Sequence, residues 1–174
     1  AEDQDYERFC NFKHRTFNSY DCVYFLKSLA NIYRHHGGLE TVFTRAYQKH
    51  QDMFEVLKEW HSVFTSLPAE ARVLRHIANV EKGSAAKRVN MFLRWMVRHD
   101  HSGIDFGLWK GIPASALLIP LDLHTGHVSR ELGLLTRKQN DAKAVEELTR
   151  RLREFDPVDP IRYDFALFGL GAFK

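Results

Sequence analysis

Glu81-Lys82-Gly83-Ser84-Ala85-Ala86-Lys87-Arg88-Val89-Asn90-Met91-Phe92-Leu93-Arg94-Trp95-Met96-Val97-Arg98 is the stretch around which the rest of the chain is arranged. Gly83 then Ser84 reads as a turn delivering an N-cap, because a serine oxygen accepts from the orphan N–H groups of a first helical turn. The helix predicted from Ser84 to about Arg98 is apolar around most of its circumference, through Ala85, Ala86, Val89, Met91, Phe92, Leu93, Trp95, Met96 and Val97. Its polar stripe is Lys87, Asn90, Arg94 and Arg98, whose spacing puts them on one face. A helix of this kind is packed on several sides and is central. Its one open face is expected to be basic.

A second landmark is Leu117-Leu118-Ile119-Pro120-Leu121-Asp122-Leu123-His124, where a proline-bounded turn places Asp122 at the start of another helix. The remaining segments also read as helical. Helices are predicted over 3–12, 19–35, 39–50, 52–66, 69–80, 122–135, 140–155 and 159–170. Gly37-Gly38 stops the second of these, and Asp159-Pro160 is a cap followed by a first-turn proline. His99-Asp100-His101-Ser102-Gly103 reads as a loop, and Pro113 begins a short helical turn. No strand alternation is sustained. The fold class is all-α: a multi-helix domain with orthogonal helices around a central apolar one.

The chain has 174 residues, 44% hydrophobic and 27% charged, which suits one globular domain with a real core. A subdivision into two lobes, 1–66 and 67–174, is compatible with the pattern. Opening on Ala1 in mid-pattern, the chain reads as an N-terminally truncated fragment. No secretory leader and no membrane-length apolar run is present in it, and Cys10 and Cys22 lack metal-ligand or disulfide-framework spacing. A cytoplasmic, nucleoid-associated protein is expected, with no membrane and no obligate protein partner.

Charge is unevenly spread. Residues 71–100 hold seven basic and two acidic side chains, against eight and ten over 1–70 and ten and ten over 101–174. The net charge of +3 therefore originates in the central region. A basic field beside the N–H groups of a helix start is a phosphate-binding arrangement. The other reading is a solvated face neutralised by acids from elsewhere in the fold.

Gly83-Ser84-Ala85-Ala86-Lys87 leading into an apolar helix, with Ile119-Pro120-Leu121-Asp122-Leu123-His124 opening another, resembles the core of helix-hairpin-helix DNA glycosylases of the oxoguanine glycosylase/lyase kind. The wording Lys87 to Arg98, with Asp105-Phe106-Gly107-Leu108-Trp109, more closely resembles a bacterial family of unknown function distantly tied to that superfamily, over about residues 60–173. The superfamily hairpin carries Leu-Pro-Gly-x-Gly; here Val80-Glu81-Lys82 precede Gly83, and Ala85 stands at the second glycine. The gap from Lys87 to Asp122 is longer than in most of the superfamily, and its four-cysteine iron–sulfur motif is absent.

The resemblance implies a DNA-repair enzyme acting on double-stranded DNA without a cofactor. Lys87 would be the nucleophile, attacking the anomeric carbon of a damaged nucleotide to leave a Schiff base. Such a role needs a neutral amine, and burial beside Arg88 and Arg94 is the expected device. Asp122 would stabilise positive charge on the sugar, a role compatible with plain N-capping. Lys82, Gly83, Ser84, Ala85, Arg88 and Arg94 would hold phosphates. His124 is expected to hydrogen-bond behind Asp122, and Trp109 to stack on a flipped base. Trp95 is read as core. Asp122, His124 and His127 lack a third well-placed ligand, so no metal is expected. Two rivals remain: a non-catalytic nucleic-acid-binding module that keeps the hairpin, and a helical protein gripping a small phosphorylated ligand.

Overall fold

A computed structural model describes residues 3–100 and 103–173; His101 and Ser102 of the expected loop lie outside the described residues. The fold is mostly helical, as the pattern predicts. The principal helices are α1 (Asp3–Tyr6), α2 (Ser19–His35), α3 (Leu39–His50), α4 (Met53–Phe64), α5 (Ala71–Leu74), α6 (Lys87–Val97), α7 (Leu123–Glu131), α8 (Ala142–Phe155) and α9 (Asp164–Ala172). Short 3₁₀ turns lie at Glu7–Phe9, Ala114–Ala116 and Pro160–Tyr163, and a two-residue antiparallel pair joins β1 (Lys13–His14) to β2 (Phe17–Asn18).

Polar starts explain several helix boundaries. Asn18 and Asp21 form a reciprocal capping box on α2, Asp52 caps α4 through the N–H groups of Phe54 and Glu55, and Asp141 caps α8 through that of Ala144. Helix α3 packs on α4, and α7 on α9. Phe43, Trp60, Leu93, Trp109, Leu117, Ile119, Leu148 and Ile161 belong to one contiguous buried cluster. Burial of such side chains is the dominant favourable term.

Several expected helices are shorter than the pattern suggests: that over 3–12 is α-helical only over Asp3–Tyr6, and that over 122–135 ends at Glu131. The 69–80 segment is helical only over Ala71–Leu74, after which Arg75, His76 and Ile77 donate to carbonyls three residues back. The chain then turns: the Asn79 carbonyl accepts from Ser84 N, and the Asn79 side chain accepts from Lys82 N. Helix α6 begins at Lys87 rather than Ser84, because Ala86 lies at φ +47° and breaks the helical path. Ser84 accepts from Ala86 N at 3.2 Å, so its hydroxyl shapes the turn and caps nothing.

The polar stripe of α6 also differs from expectation. Arg94, only 3% exposed, directs Nε at both oxygens of buried Asp105 (3.1 Å each) and Nη1 at Asp164. Arg98 binds Asp105 at 2.6 Å and Asp159 at 2.9 Å. The stripe is an internal seam of ion pairs, and Arg94 is unavailable to a phosphate. Acids distant in sequence neutralise it, since a buried guanidinium is tolerated only when paired.

Candidate functional site

Lys87 opens α6 and Asp122 immediately precedes α7. Lys87 Nζ donates to Asp122 Oδ2 at 3.0 Å. Asp122 Oδ1 accepts from Thr125 N at 2.8 Å, so one carboxylate both caps the helix and faces the amine. Partial burial raises the Asp122 pKa, but the Thr125 N–H and Lys87 outweigh it and hold the carboxyl below its ordinary value. The environment expected for Lys87, guanidinium groups on a buried amine, is not what it meets: Arg94 is spent on Asp105 and Asp164, and the amine sits on a carboxylate.

Asn140 locks the Asp122 backbone. Its Nδ2 donates to the Asp122 carbonyl at 2.8 Å, while its oxygen accepts from Arg130. Gly126 lets Asn140 approach, since a Cβ there would lie 2.6 Å from Asn140 Oδ1. Neither residue stands out in the sequence, because an Asn near a helix start and a Gly within a helix have commoner explanations.

Asp164, at the start of α9, is buried close enough to feel both Asp122 and Lys87. Burial pushes its carboxyl up to about 6 although Arg94 opposes the shift. The guanidinium of Arg94 also lies 3.8 Å from the ring centre of Phe165, a cation–π contact.

Lys87 also lines a cleft of about 1220 Å³ bounded by α2, α3, α4, the 71–84 segment and α6. Phe25, Phe43, Trp60, Phe64 and Phe92 supply aromatic walls. Phe43 and Trp60 stack at 5.9 Å and 16°, and Phe25 meets Phe64 edge-on at 5.1 Å. The cationic lining is Arg75, Lys82, Lys87 and Arg88, and no carboxylate among the described residues lines the cleft. Lys82 and Arg88 are exposed; Gly83, at φ +84°, and Ser84 line the cleft beside them, whereas Ala85 does not.

Trp109 is not positioned to stack on a base. It is 6% exposed, 5.8 Å from Phe43 and 5.4 Å from Phe92, and its N–H donates to the Met96 carbonyl. Trp95, read as core, is 37% exposed instead. Helical spacing alone could not separate them, because the 103–109 loop folds back on the end of α6 and carries Trp109 inward. His124 does not back Asp122: its Nδ1 lies 3.1 Å from the Gly171 carbonyl and its ring meets Phe168. His127 pairs with Glu131 on the same helix. Among the described residues no helix is long and apolar enough to cross a membrane.

Residues 1–173 match the family described as Protein of unknown function (DUF2400), and the chain belongs to that family. No curated protein and no solved structure matches it.

Proposed function

We propose that this family member binds duplex DNA along its cationic cleft edge and removes a damaged purine through Lys87, with associated strand cleavage. The observation that carries the reading is the 3.0 Å contact between Lys87 and Asp122 at the border of a cleft with aromatic walls and, among the described residues, no carboxylate in its lining. An extruded base finds the partly exposed rings of Phe25 and Phe92 there, and its phosphates find Arg75, Lys82 and Arg88. None of these three side chains is ion-paired among the described residues.

In this reaction the Lys87 ammonium gives up its proton to solvent while Asp122 orients the amine and stabilises positive charge on the sugar, and the freed Nζ lone pair attacks C1′. The glycosidic bond breaks toward the base, and opening of the sugar leaves a Schiff base. Asp122, anchored by Thr125 and Asn140, is held rather than mobile, which suits a group that must face one sugar atom. Borohydride reduction tests the reading by converting the intermediate into a stable adduct. Wild-type protein incubated with a duplex containing oxidised guanine should yield the adduct, and Lys87→Gln should yield none while still binding DNA. Adduct formation by Lys87→Gln, or none by wild type, refutes it.

A second reading, a small phosphorylated ligand in the same cleft, is favoured by one observation: Arg94 is neutralised internally, which shortens the row of available cations. Salt dependence separates the two, since a duplex engages several phosphates and its log–log slope steepens with each.

A further inference from the structure

A second titratable pair, of which His76 lines the cleft and Asp21 is buried behind it, has no part in the Lys87 chemistry. Asp21, in the first turn of α2, is 0% exposed. Its Oδ2 accepts from Asn18 N at 2.8 Å and from Arg72 Nη2 at 3.0 Å, and lies 3.6 Å from His76 Nε2. Its other oxygen has no partner among the described residues. The His76 ring packs edge-on against Phe17 at 5.2 Å and lines the cleft.

Capping α2 accounts for the reach of Asp21 to Asn18, and Arg72 already balances its charge. Neither requires an imidazole at the same oxygen. What the arrangement accomplishes is to hold one edge of an imidazole against a buried carboxylate and an aromatic ring, with the cleft on another side. An imidazole is the side chain suited to giving up a proton near neutral pH. Among the described residues the cleft has no carboxylic acid in its lining that could do so instead.

We propose that His76, oriented by Asp21, is a catalytic acid that protonates the departing purine within the cleft. The inference rests on the glycosylase reading above and adds to it the fate of the leaving group. As Lys87 Nζ forms its bond to C1′, the C1′–N9 electron pair moves onto the purine. A proton from the His76 imidazolium is delivered to a ring nitrogen, so an uncharged base leaves and a neutral imidazole remains, to be reprotonated by solvent. The Lys87 proton goes to solvent, so each proton has its own route. The substrate class this arrangement suits is an uncharged purine base, which is a poor leaving group without protonation.

The experiment compares wild type with His76→Gln and His76→Phe on duplexes carrying oxidised guanine, N7-methylguanine or a base-free sugar. Phe keeps the packing on Phe17 but carries no proton, so it stands in if Gln fails to fold. N7-methylguanine is already cationic and departs neutral with no added proton. On oxidised guanine the variants should lose about a hundredfold in single-turnover rate, the scale of general acid catalysis. On N7-methylguanine and at the base-free sugar the deficit should shrink at least severalfold. Equal deficits on all three duplexes overturn the role of His76. A wild type that forms no Lys87-dependent adduct at the base-free sugar overturns the glycosylase reading itself, and this inference with it.

Discussion

Lys87 Nζ and Asp122 Oδ2 lie 3.0 Å apart across 35 residues of sequence, and the same carboxylate receives the Thr125 N–H. One side chain therefore serves a helix and a charged partner together. These jobs come apart by substitution. Asp122→Asn should retain the cap, and its melting temperature should stay within a few degrees of wild type. Asp122→Ala should cost about 1 kcal/mol through the lost cap. Both should reduce borohydride-trapped adduct by orders of magnitude. An Asn variant that traps as well as wild type removes Asp122 from the chemistry.

The two arginines once grouped as phosphate ligands should behave oppositely. Arg94→Ala leaves Asp164 buried without a guanidinium and Asp105 with that of Arg98 alone, a loss of about 3–5 kcal/mol on the scale of broken buried pairs. Chemical denaturation should show it. Arg88 is exposed, and Arg88→Ala should leave the midpoint nearly unmoved while lowering the salt slope of DNA binding by about one unit. If Arg94→Ala is as stable as the parent, the seam described for α6 is not what holds it in place.

Trp109 and Trp95 give a similar contrast. Trp109 packs between Phe43 and Phe92, and Trp109→Ala should cost about 3–5 kcal/mol. Trp95→Ala should cost well under half of that, since the side chain is over a third exposed. Phe92, half-buried at the cleft, should fall between them. Urea midpoints of the three variants rank them directly.

Asp164 makes stability depend on pH. Its folded-state value of about 6 lies above the ordinary 3.8, so its contribution is greatest when it is protonated and is lost as pH rises through about 6. Asn at this position mimics the protonated form and does not titrate. The stability of wild type minus that of Asp164→Asn should therefore fall by about 3 kcal/mol between roughly pH 4 and pH 6, the equivalent of two pKa units. A difference that is flat over this window means the carboxylate is ionised throughout and Arg94, rather than burial, governs it.

Several elements were legible from local pattern. The starts at Asn18, Asp52 and Asp122 and the stop at Gly37-Gly38 follow from side chains acting on backbone groups within a few residues. The resemblance names Lys87 and Asp122 as residues of one site, but their 3.0 Å contact spans 35 residues and is a product of the fold. The helix expected over 69–80 failed for a reason also local but weak: the hydrogen bonds of Asn79 to Lys82 and Ser84 outcompete a helical continuation. Ala86 at positive φ gave no warning, since alanine is the strongest helix former.

By itself, then, the sequence determined that the chain is helical, where most helices begin, and which helix carries the alternating apolar and cationic faces. Those properties depend on periodicity and capping, which act over three or four residues. Tertiary structure alone decided which way the cationic face points. Asp105, Asp159 and Asp164 are 11, 61 and 70 residues from their arginine partners, and only the folded chain brings them to α6. The same holds for Trp109 and Trp95, exchanged between core and surface by one returning loop, and for His76 and Asp21, brought together from the turn after α5 and the first turn of α2. Charge neutralisation and burial are sums over neighbours in space, and no window along the chain contains them.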